Sequence, residues 1–274
     1  MSGDGSESIR AGVIQLCSNR DRDNNLAKTA LLIEQAADRK CGLILLPENF
    51  SYMGSSDADK RAIAEEQESS STLAFLAEQA GKHRLTIIGG TVPLKSDNSE
   101  KIRNSCPVFS ADGELIVCYD KIHLFDVDLD SEKHCESKTI EAGMQPETVA
   151  FENWNIGLSI CYDLRFPELY RSYSSSGCNL LTVPAAFTVP TGEAHWEVLL
   201  RARAIENQSY VMAAGQCGTH PGNRRTWGHS MIIDPWGDVL ATLVDEEGII
   251  TAELSLNRVQ KIREALPALN HRRI

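Results

Sequence analysis

The segment IGLSICYDLRFPE, residues 156–168, carries the strongest structural signal in the chain. Ile156–Ile160 is typical of a buried strand and runs directly into Cys161, and the residues after it predict a turn that opens a helix. Such a strand end leaves a thiol at the edge of a sheet, where the backbone N–H of Tyr162 can face a developing oxyanion. The helix N-terminus is expected to lower the pKa of the thiol. The alternative is that Cys161 is simply one of eight cysteines and packs in the core.

On both sides of this segment, apolar runs alternate with stretches of helical spacing. Residues 43–47 are apolar throughout, which is typical of a strand buried on both faces. We predict strands at 9–17, 43–47, 85–93, 147–161, 178–186, 209–217, 228–234 and 247–254, a hairpin over 103–119, and helices at 24–40, 57–82, 167–176, 195–208 and 257–266. Because strands outnumber helices, this pattern predicts two packed sheets with helices outside, in one α/β domain over 9–274 after a disordered polar stretch, 1–8.

The composition of the chain limits the partners, the compartment and the kinds of site that we expect. A net charge of −11 disfavours nucleic acid as a partner. No stretch approaches the roughly 18 apolar residues that span a bilayer, so no membrane segment is expected. The eight cysteines are scattered without a CxxC pair, which indicates reduced thiols, a cytoplasmic protein and no metal site. A mitochondrial form that begins at an alternative start is the second location that the sequence allows.

Two further residues fit the chemistry of a thiol nucleophile. Glu48 follows the apolar run at 43–47, where burial favours a general base, although a surface glutamate fits the same pattern. Lys121 lies inside an apolar run, so it either reaches water or pairs with a carboxylate. His123 is expected to be a substrate-pocket or structural residue. A base, a cation and a thiol at three strand ends fit the hydrolysis of an amide.

The motifs LPENF (46–50), DKIHLF (120–125) and SICYDLRFPELYR (159–171), in this order, resemble the Glu–Lys–Cys triad of the nitrilase superfamily. The stretches at 186–208 and 228–237 resemble the nitrilase-homologue branch. The resemblance implies a four-layer α-β-β-α sandwich and a homodimer. Neither a metal nor an organic cofactor is expected, because the sequence has no metal-ligand spacing and no glycine-rich nucleotide loop. The resemblance also implies catalysis by Glu48, Lys121 and Cys161 with Glu136 in support of the lysine, and substrate contacts from Arg165, Phe187 and Thr191.

The same resemblance implies a carbon–nitrogen hydrolase acting on a linear amide of a small carboxylate-bearing substrate through a cysteine thioester. The expected substrate is deaminated glutathione, split into 2-oxoglutarate and cysteinylglycine. The alternatives are an ω-amidase acting on 2-oxoglutaramate or a related monoamide and, from a different class, an inactive scaffold that kept the fold.

Several positions keep competing interpretations. Residues 126–133 lack the family's proline-glycine turn, so the path of the chain towards Glu136 is open. Arg165 also fits an ion pair with Asp163 or Glu168, and Phe187 also fits a core aromatic. The loop at 220–225 carries Arg224 and Arg225, which are either anchors for a long leaving group or a solvated basic turn.

Overall fold

The computed structural model describes residues 7–129 and 132–273, so residues 1–6 of the predicted polar stretch lie outside the described part. The strands are β1 Ser8–Gln15, β2 Leu43–Leu45, β3 Thr86–Ile88, β4 Val92–Lys95, β5 Ile102–Phe109, β6 Leu115–Asp120, β7 Asp126–Leu129, β8 Glu132–Cys135, β9 Thr148–Phe151, β10 Trp154–Leu158, β11 Leu180–Ala185, β12 Tyr210–Gly215, β13 Cys217–Thr219, β14 Arg225–Trp227, β15 Ser230–Ile233, β16 Val239–Leu243 and β17 Gly248–Ser255. The helices are α1 Arg22–Asp38, α2 Asp57–Ala62, α3 Ser71–His83, α4 Pro167–Ser175, α5 Val189–Asn207 and α6 Leu256–Ala265.

The strands form two large sheets that pack face to face. The first has the order β17-β1-β2-β3-β5-β4 with β6 on β5, and the second has the order β16-β15-β12-β11-β10-β9. Val13 of β1 points into the core between the sheets, whereas Ile14 packs with residues of α1 and α3 on the outer face. Trp196 of α5 covers the outer face of the second sheet. The predicted four-layer α-β-β-α sandwich is confirmed.

Several predicted elements differ from the structure. The strand predicted over 85–93 forms two strands, β3 and β4, and the helix predicted over 195–208 begins earlier, at Val189. The helix predicted over 57–82 is divided into α2 and α3, because Glu65 pairs its backbone with β4 and its carboxylate accepts from the backbone N–H groups of Ser71 and Thr72. The strand predicted over 147–161 is a hairpin of β9 and β10, with Glu152 in the left-handed region between them at φ 50°. Within the described residues, no helix is long and apolar enough to cross a membrane.

The sheets bring the ends of several strands together. β1, β2 and β3 are parallel to one another, as are β10, β11 and β12. A backbone bridge between Leu16, just after β1, and Gln216, just after β12, joins the two sheets at the carboxyl ends of these strands. The residues that follow β2, β6, β10 and β11 therefore meet at one end of the sandwich, where α/β proteins commonly place their ligands.

Candidate active site

Cys161 lies at the turn predicted from its sequence. It begins a short 3-10 helix, Cys161–Arg165, three residues after the end of β10. Its φ of 48° is in the left-handed region, which is costly for a residue with a side chain. The chain therefore holds Cys161 in a strained conformation that presents the thiol to a cleft, rather than packing it as an ordinary core cysteine.

Asp163 holds this turn in place. The carboxylate is fully buried and accepts from the backbone N–H of Ile160 at 2.8 Å and from the hydroxyl of Tyr119 at 2.7 Å. Its other oxygen accepts from the backbone N–H of His123 at 2.9 Å and lies 2.7 Å from Nδ1 of the same residue. His123, which also stacks on Phe166, is thus a structural residue of this network.

Glu48 is 3% exposed and is fixed through both carboxylate oxygens. Oε1 accepts from Asn104 Nδ2 at 2.9 Å and from Lys121 Nζ at 3.2 Å, and Oε2 accepts from the backbone N–H of Ala186 at 2.9 Å. The preceding residue, Pro47, packs so closely against Gly90 that a Cβ at Gly90 would collide with the Pro47 carbonyl. A glycine with positive φ is therefore needed to bring the β3–β4 turn against this segment.

Lys121 is buried between two carboxylates. Its ammonium donates to Glu48 Oε1 and, in bidentate fashion, to Glu136 at 3.0 and 2.8 Å. Glu136 follows the β7–β8 hairpin, and its Oε2 also accepts from the backbone N–H of Phe125 at 2.7 Å. Glu136 therefore contacts Lys121 although the segment before it lacks the family's proline-glycine turn. Residues 130 and 131 of that segment lie outside the described part.

The protonation states of this cluster follow from burial and charge. Burial acts to raise the pKa of Glu48, but the charges of Lys121 and Lys60 outweigh it and hold the pKa below its usual value. Burial acts to lower the pKa of Lys121, but Glu136 and Glu48 raise it well above its usual value. The resting site therefore holds an ionised carboxylate beside an ammonium.

The thiol behaves differently from the sequence-based expectation. Burial, followed by the negative charge of Glu48, raises the pKa of Cys161, whereas Lys121 and the backbone N–H of Ala186 act in the opposite direction with less effect. The expectation that the helix N-terminus lowers this pKa is therefore wrong. Cys161 rests as a neutral thiol against a carboxylate that can accept its proton.

The cleft above these residues encloses about 470 Å³ when the part open to solvent is included, and its lining includes Tyr162, Arg165, Phe187 and Thr191. The Arg165 guanidinium lies 5.3 Å from the centroid of the Phe187 ring and 5.7 Å from that of Tyr162. Its Nη1 is 3.2 Å from Nδ1 of His195, and no ion pair with Asp163 or Glu168 occurs among the described residues. The structure thus brings Arg165, Phe187 and Thr191 into the same cleft as the thiol.

The two arginines of the loop at 220–225 occupy different places. Arg224 lines the cleft and donates from Nη2 to the carbonyl of Ala186 at 3.3 Å. Arg225 is exposed, and its guanidinium lies 4.0 Å from Asp245. The sequence does not distinguish the two arginines, whereas in the structure Arg224 lines the cleft and Arg225 does not.

Several residues that hold Glu48 and Lys121 in place were not predicted from the sequence. Asn104 binds Glu48 with its side chain and accepts from the Lys121 backbone N–H with its carbonyl. Gln216 donates from its side chain to the Glu48 carbonyl at 3.0 Å. No clear signal in the sequence marks Asn104, since it lies between the polar residues Arg103 and Ser105 and its burial becomes apparent only in the structure. In the described part of the chain, no cluster of three or more His, Cys, Asp or Glu side chains is suited to a metal ion.

The chain is similar in sequence to two amidases and in fold to a solved structure. The sequence is 40% identical over 270 residues to a deaminated glutathione amidase of Synechocystis sp., covering 96% of this chain and 97% of that protein. It is 38% identical over 267 residues to omega-amidase NIT2 of Xenopus tropicalis, covering 97% of this chain and 95% of that protein. The crystal structure of the C. elegans NitFhit protein matches with a TM-score of 0.89 and 36% identity over 97% of this chain, which spans 65% of that longer protein.

The carbon–nitrogen hydrolase family model matches residues 10–264. Because this match spans nearly the whole chain, and the two amidases align along almost their full length, the protein belongs to the carbon–nitrogen hydrolase family.

Proposed function

We propose that this protein hydrolyses a linear amide of a small carboxylate-bearing substrate through a thioester at Cys161. One observation carries the proposal: the buried Glu48 lies 3.2 Å from the Lys121 ammonium, and both residues line the same cleft as the Cys161 thiol. A base, a cation and a nucleophile fixed in one cleft are the parts that acyl transfer needs. Keeping these charges buried is costly, which argues against an inactive scaffold.

In this mechanism Glu48 removes the thiol proton as the Cys161 sulfur attacks the amide carbon. The carbonyl oxygen becomes an oxyanion, stabilised by the Lys121 ammonium and the backbone N–H of Tyr162. Glu48 then gives its proton to the leaving amine, and the carbon–nitrogen bond breaks to leave a thioester. Water, activated by Glu48, attacks the thioester and releases the carboxylic acid and the free thiol.

Glu136 has a supporting part in this proposal. By accepting two hydrogen bonds from Lys121 it keeps the ammonium charged and fixes its direction. Removing this carboxylate leaves Glu48 alone to hold the buried cation.

We assign the substrate as deaminated glutathione, with 2-oxoglutarate and cysteinylglycine as products. Arg165 is the partner for the 2-oxo acid carboxylate, because a guanidinium binds a carboxylate in bidentate fashion, and Phe187 and Thr191 complete the pocket. The 40% identity with a deaminated glutathione amidase supports this substrate. The alternative is 2-oxoglutaramate or a related monoamide, favoured by the 38% identity with omega-amidase NIT2.

The two substrates are separated by measuring kcat/KM for deaminated glutathione and for 2-oxoglutaramate on one preparation. We expect the larger substrate to be preferred. A clear preference for the smaller amide makes the protein an ω-amidase, and no turnover of any linear amide contradicts the hydrolase itself.

The assembly we propose is a homodimer that needs neither a metal nor an organic cofactor. Apolar side chains are exposed on adjacent parts of the second sheet's outer face: Val198 is 67%, Ile205 49% and Trp236 54% exposed. Gly237 packs directly against Ile205, which makes these parts of α5 and the β15–β16 turn continuous. Exposed apolar surface of this kind commonly marks an interface. Light scattering at micromolar concentration is expected to give a dimer, and activity is expected to survive chelation; a monomer contradicts the first expectation.

We propose that the protein is cytoplasmic, and its free, scattered cysteines support this location. Fractionation of cells that express the protein tests this assignment.

A further inference from the structure

The cleft is more cationic than the chemistry of the thiol requires. Lys121 is already paired with two carboxylates. Three other cationic side chains line the same cleft, although the whole chain carries a net charge of −11: these are Lys60, Arg165 and Arg224. Even without Lys60, the three cations Lys121, Arg165 and Arg224 outnumber the two carboxylates of the described lining, Glu48 and Glu136, and an anionic group of the substrate would balance this surplus.

Arg224 has an unused hydrogen-bond donor. Its Nη2 donates to the Ala186 carbonyl, but its Nε is buried and no acceptor in the described part of the chain lies within hydrogen-bond distance. A buried guanidinium N–H without an acceptor is costly, more so than a neutral one. An anionic group of a bound ligand would remove that cost.

The loop that carries Arg224 is firmly held. The backbone N–H of His220 donates to the Arg224 carbonyl at 2.8 Å, and the His220 ring lies 2.8 Å from the Ser18 carbonyl and 2.6 Å from the Thr226 hydroxyl. Gly222, at φ 78°, permits the tight turn between them. Arg224 is therefore presented on a fixed support and not on a freely solvated turn.

Arg224 and Arg165 have different neighbours in the cleft. Arg165 packs over the Tyr162 and Phe187 rings. Arg224 binds the carbonyl of Ala186, the residue whose N–H holds Glu48, and the charge of Lys60 also acts on Glu48. In the proposed mechanism Glu48 protonates the leaving amine, so the leaving group lies on the Arg224 side.

We infer that Arg224 is a specificity-determining residue that binds a carboxylate on the leaving amine, with Lys60 adding positive charge on the same side. The inference rests on the proposed amidase function and defines its substrate class: amides whose leaving amine is itself an amino acid or a short peptide with a free carboxylate. Arg165 binds the carboxylate of the acyl part.

The test uses two substrates that differ only in this group: deaminated glutathione, and the same molecule with its C-terminal carboxylate converted to a primary amide. Wild-type enzyme is expected to prefer the acid. Arg224→Gln is expected to lower kcat/KM on the acid by roughly ten- to a hundredfold, mainly through KM, and to leave the C-terminal amide nearly unchanged, because one charge-assisted contact is lost. Arg225→Gln, on the same loop but outside the cleft, is the matched control and is expected to leave both substrates unchanged.

Equal losses on the two substrates overturn the inference, since they would place Arg224 in support of Ala186 and Glu48 instead. Arg224→Lys, which keeps the charge, is expected to retain part of the preference for the acid, and its thermal unfolding is compared with that of wild type to detect misfolding. Wild-type enzyme that hydrolyses both substrates equally, or only simple monoamides, also overturns the inference while the hydrolase stands. Wild-type enzyme that hydrolyses no amide contradicts the proposed function itself.

Discussion

Asp163 and His123 are joined twice through one carboxylate oxygen, to the backbone N–H at 2.9 Å and to ring Nδ1 at 2.7 Å. His123 is two residues after Lys121, and Asp163 is two residues after Cys161. This contact therefore ties the segment that carries the ammonium to the turn that carries the thiol. It fixes the relative position of the two groups although neither Asp163 nor His123 lines the cleft.

Asp163→Asn tests Asp163 as a positioning residue. The amide cannot accept all the hydrogen bonds that the carboxylate receives, so the strained turn at Cys161 is expected to shift. Because a displacement of about 1 Å at a reacting group can cost roughly a hundredfold, we expect a large fall in kcat with KM little changed. Glu168→Gln, exposed at the start of α4, is the control. A rise in KM at unchanged kcat would contradict a positioning role.

Glu48→Gln is expected to make the Cys161 thiol easier to alkylate and at the same time to abolish turnover. The negative charge of Glu48 helps to raise the pKa of Cys161, so its removal lets Lys121 lower that pKa. Alkylation of Cys161 by iodoacetamide, followed over pH, is expected to begin at a lower pH in the variant than in wild type, while turnover is lost with the base. Labelling of the variant that moves to higher pH would show that another group sets the thiol pKa.

The combination of Glu48→Gln with Lys121→Met tests whether the two residues act as one unit. Each single change is expected to be nearly as damaging as loss of the thiol, because the oxyanion and the proton transfer belong to the same step. The double variant is therefore expected to lose little more than either single variant, as measured by kcat/KM. A loss equal to the sum of the two effects in free energy would mean that they act independently.

Glu65 gives a prediction about acid stability away from the site. Burial acts to raise its pKa, but hydrogen bonds from Ser71, Thr72 and Ser70 outweigh it and lower the pKa from 4.5 to about 2. A carboxyl group with a lowered folded pKa stabilises the fold above pH 4.5 and loses that contribution as the pH falls towards 2. Glu65→Gln is expected to lower the free energy of unfolding by about 1 kcal/mol at pH 7, with a smaller difference at pH 3.

Denaturant unfolding at both pH values measures this effect. Glu66→Gln is the control, because its carboxylate, 58% exposed, makes only a surface pair with Lys95. An equal loss for Glu65→Gln at pH 7 and pH 3 would assign the effect to packing and not to charge.

The sequence allowed the layers of the fold to be predicted because they follow from local patterns. The apolar run at 43–47 identified a strand buried on both faces, and the structure places Leu43 and Ile44 in different core clusters. The break at Glu65 could not be predicted, since it depends on a contact with β4 more than twenty-five residues later in the chain. Helical spacing on both sides of Glu65 carries no information about that contact.

For the site, the order of three motifs identified the residues that meet, but not their electrostatics. The thiol pKa was predicted in the wrong direction because the helix that begins at Cys161 is short and the thiol is buried, so burial and the charge of Glu48 dominate. The position of Arg224 in the cleft and of Arg225 at the surface could not be predicted from the sequence either, because adjacent residues of a turn can have different surroundings. Both properties arise only when distant segments are brought together.

The most direct test of the account is the turnover of Cys161→Ala on deaminated glutathione or, where it is the better substrate, on 2-oxoglutaramate. Thermal unfolding and the binding of 2-oxoglutarate, measured on the same preparation, are expected to match wild type, because the sulfur makes no contact that Arg165 needs. If Cys161 is the nucleophile, kcat falls by at least roughly ten-thousandfold, since the thioester cannot form. Residual activity within about tenfold of wild type would contradict Cys161 as the nucleophile.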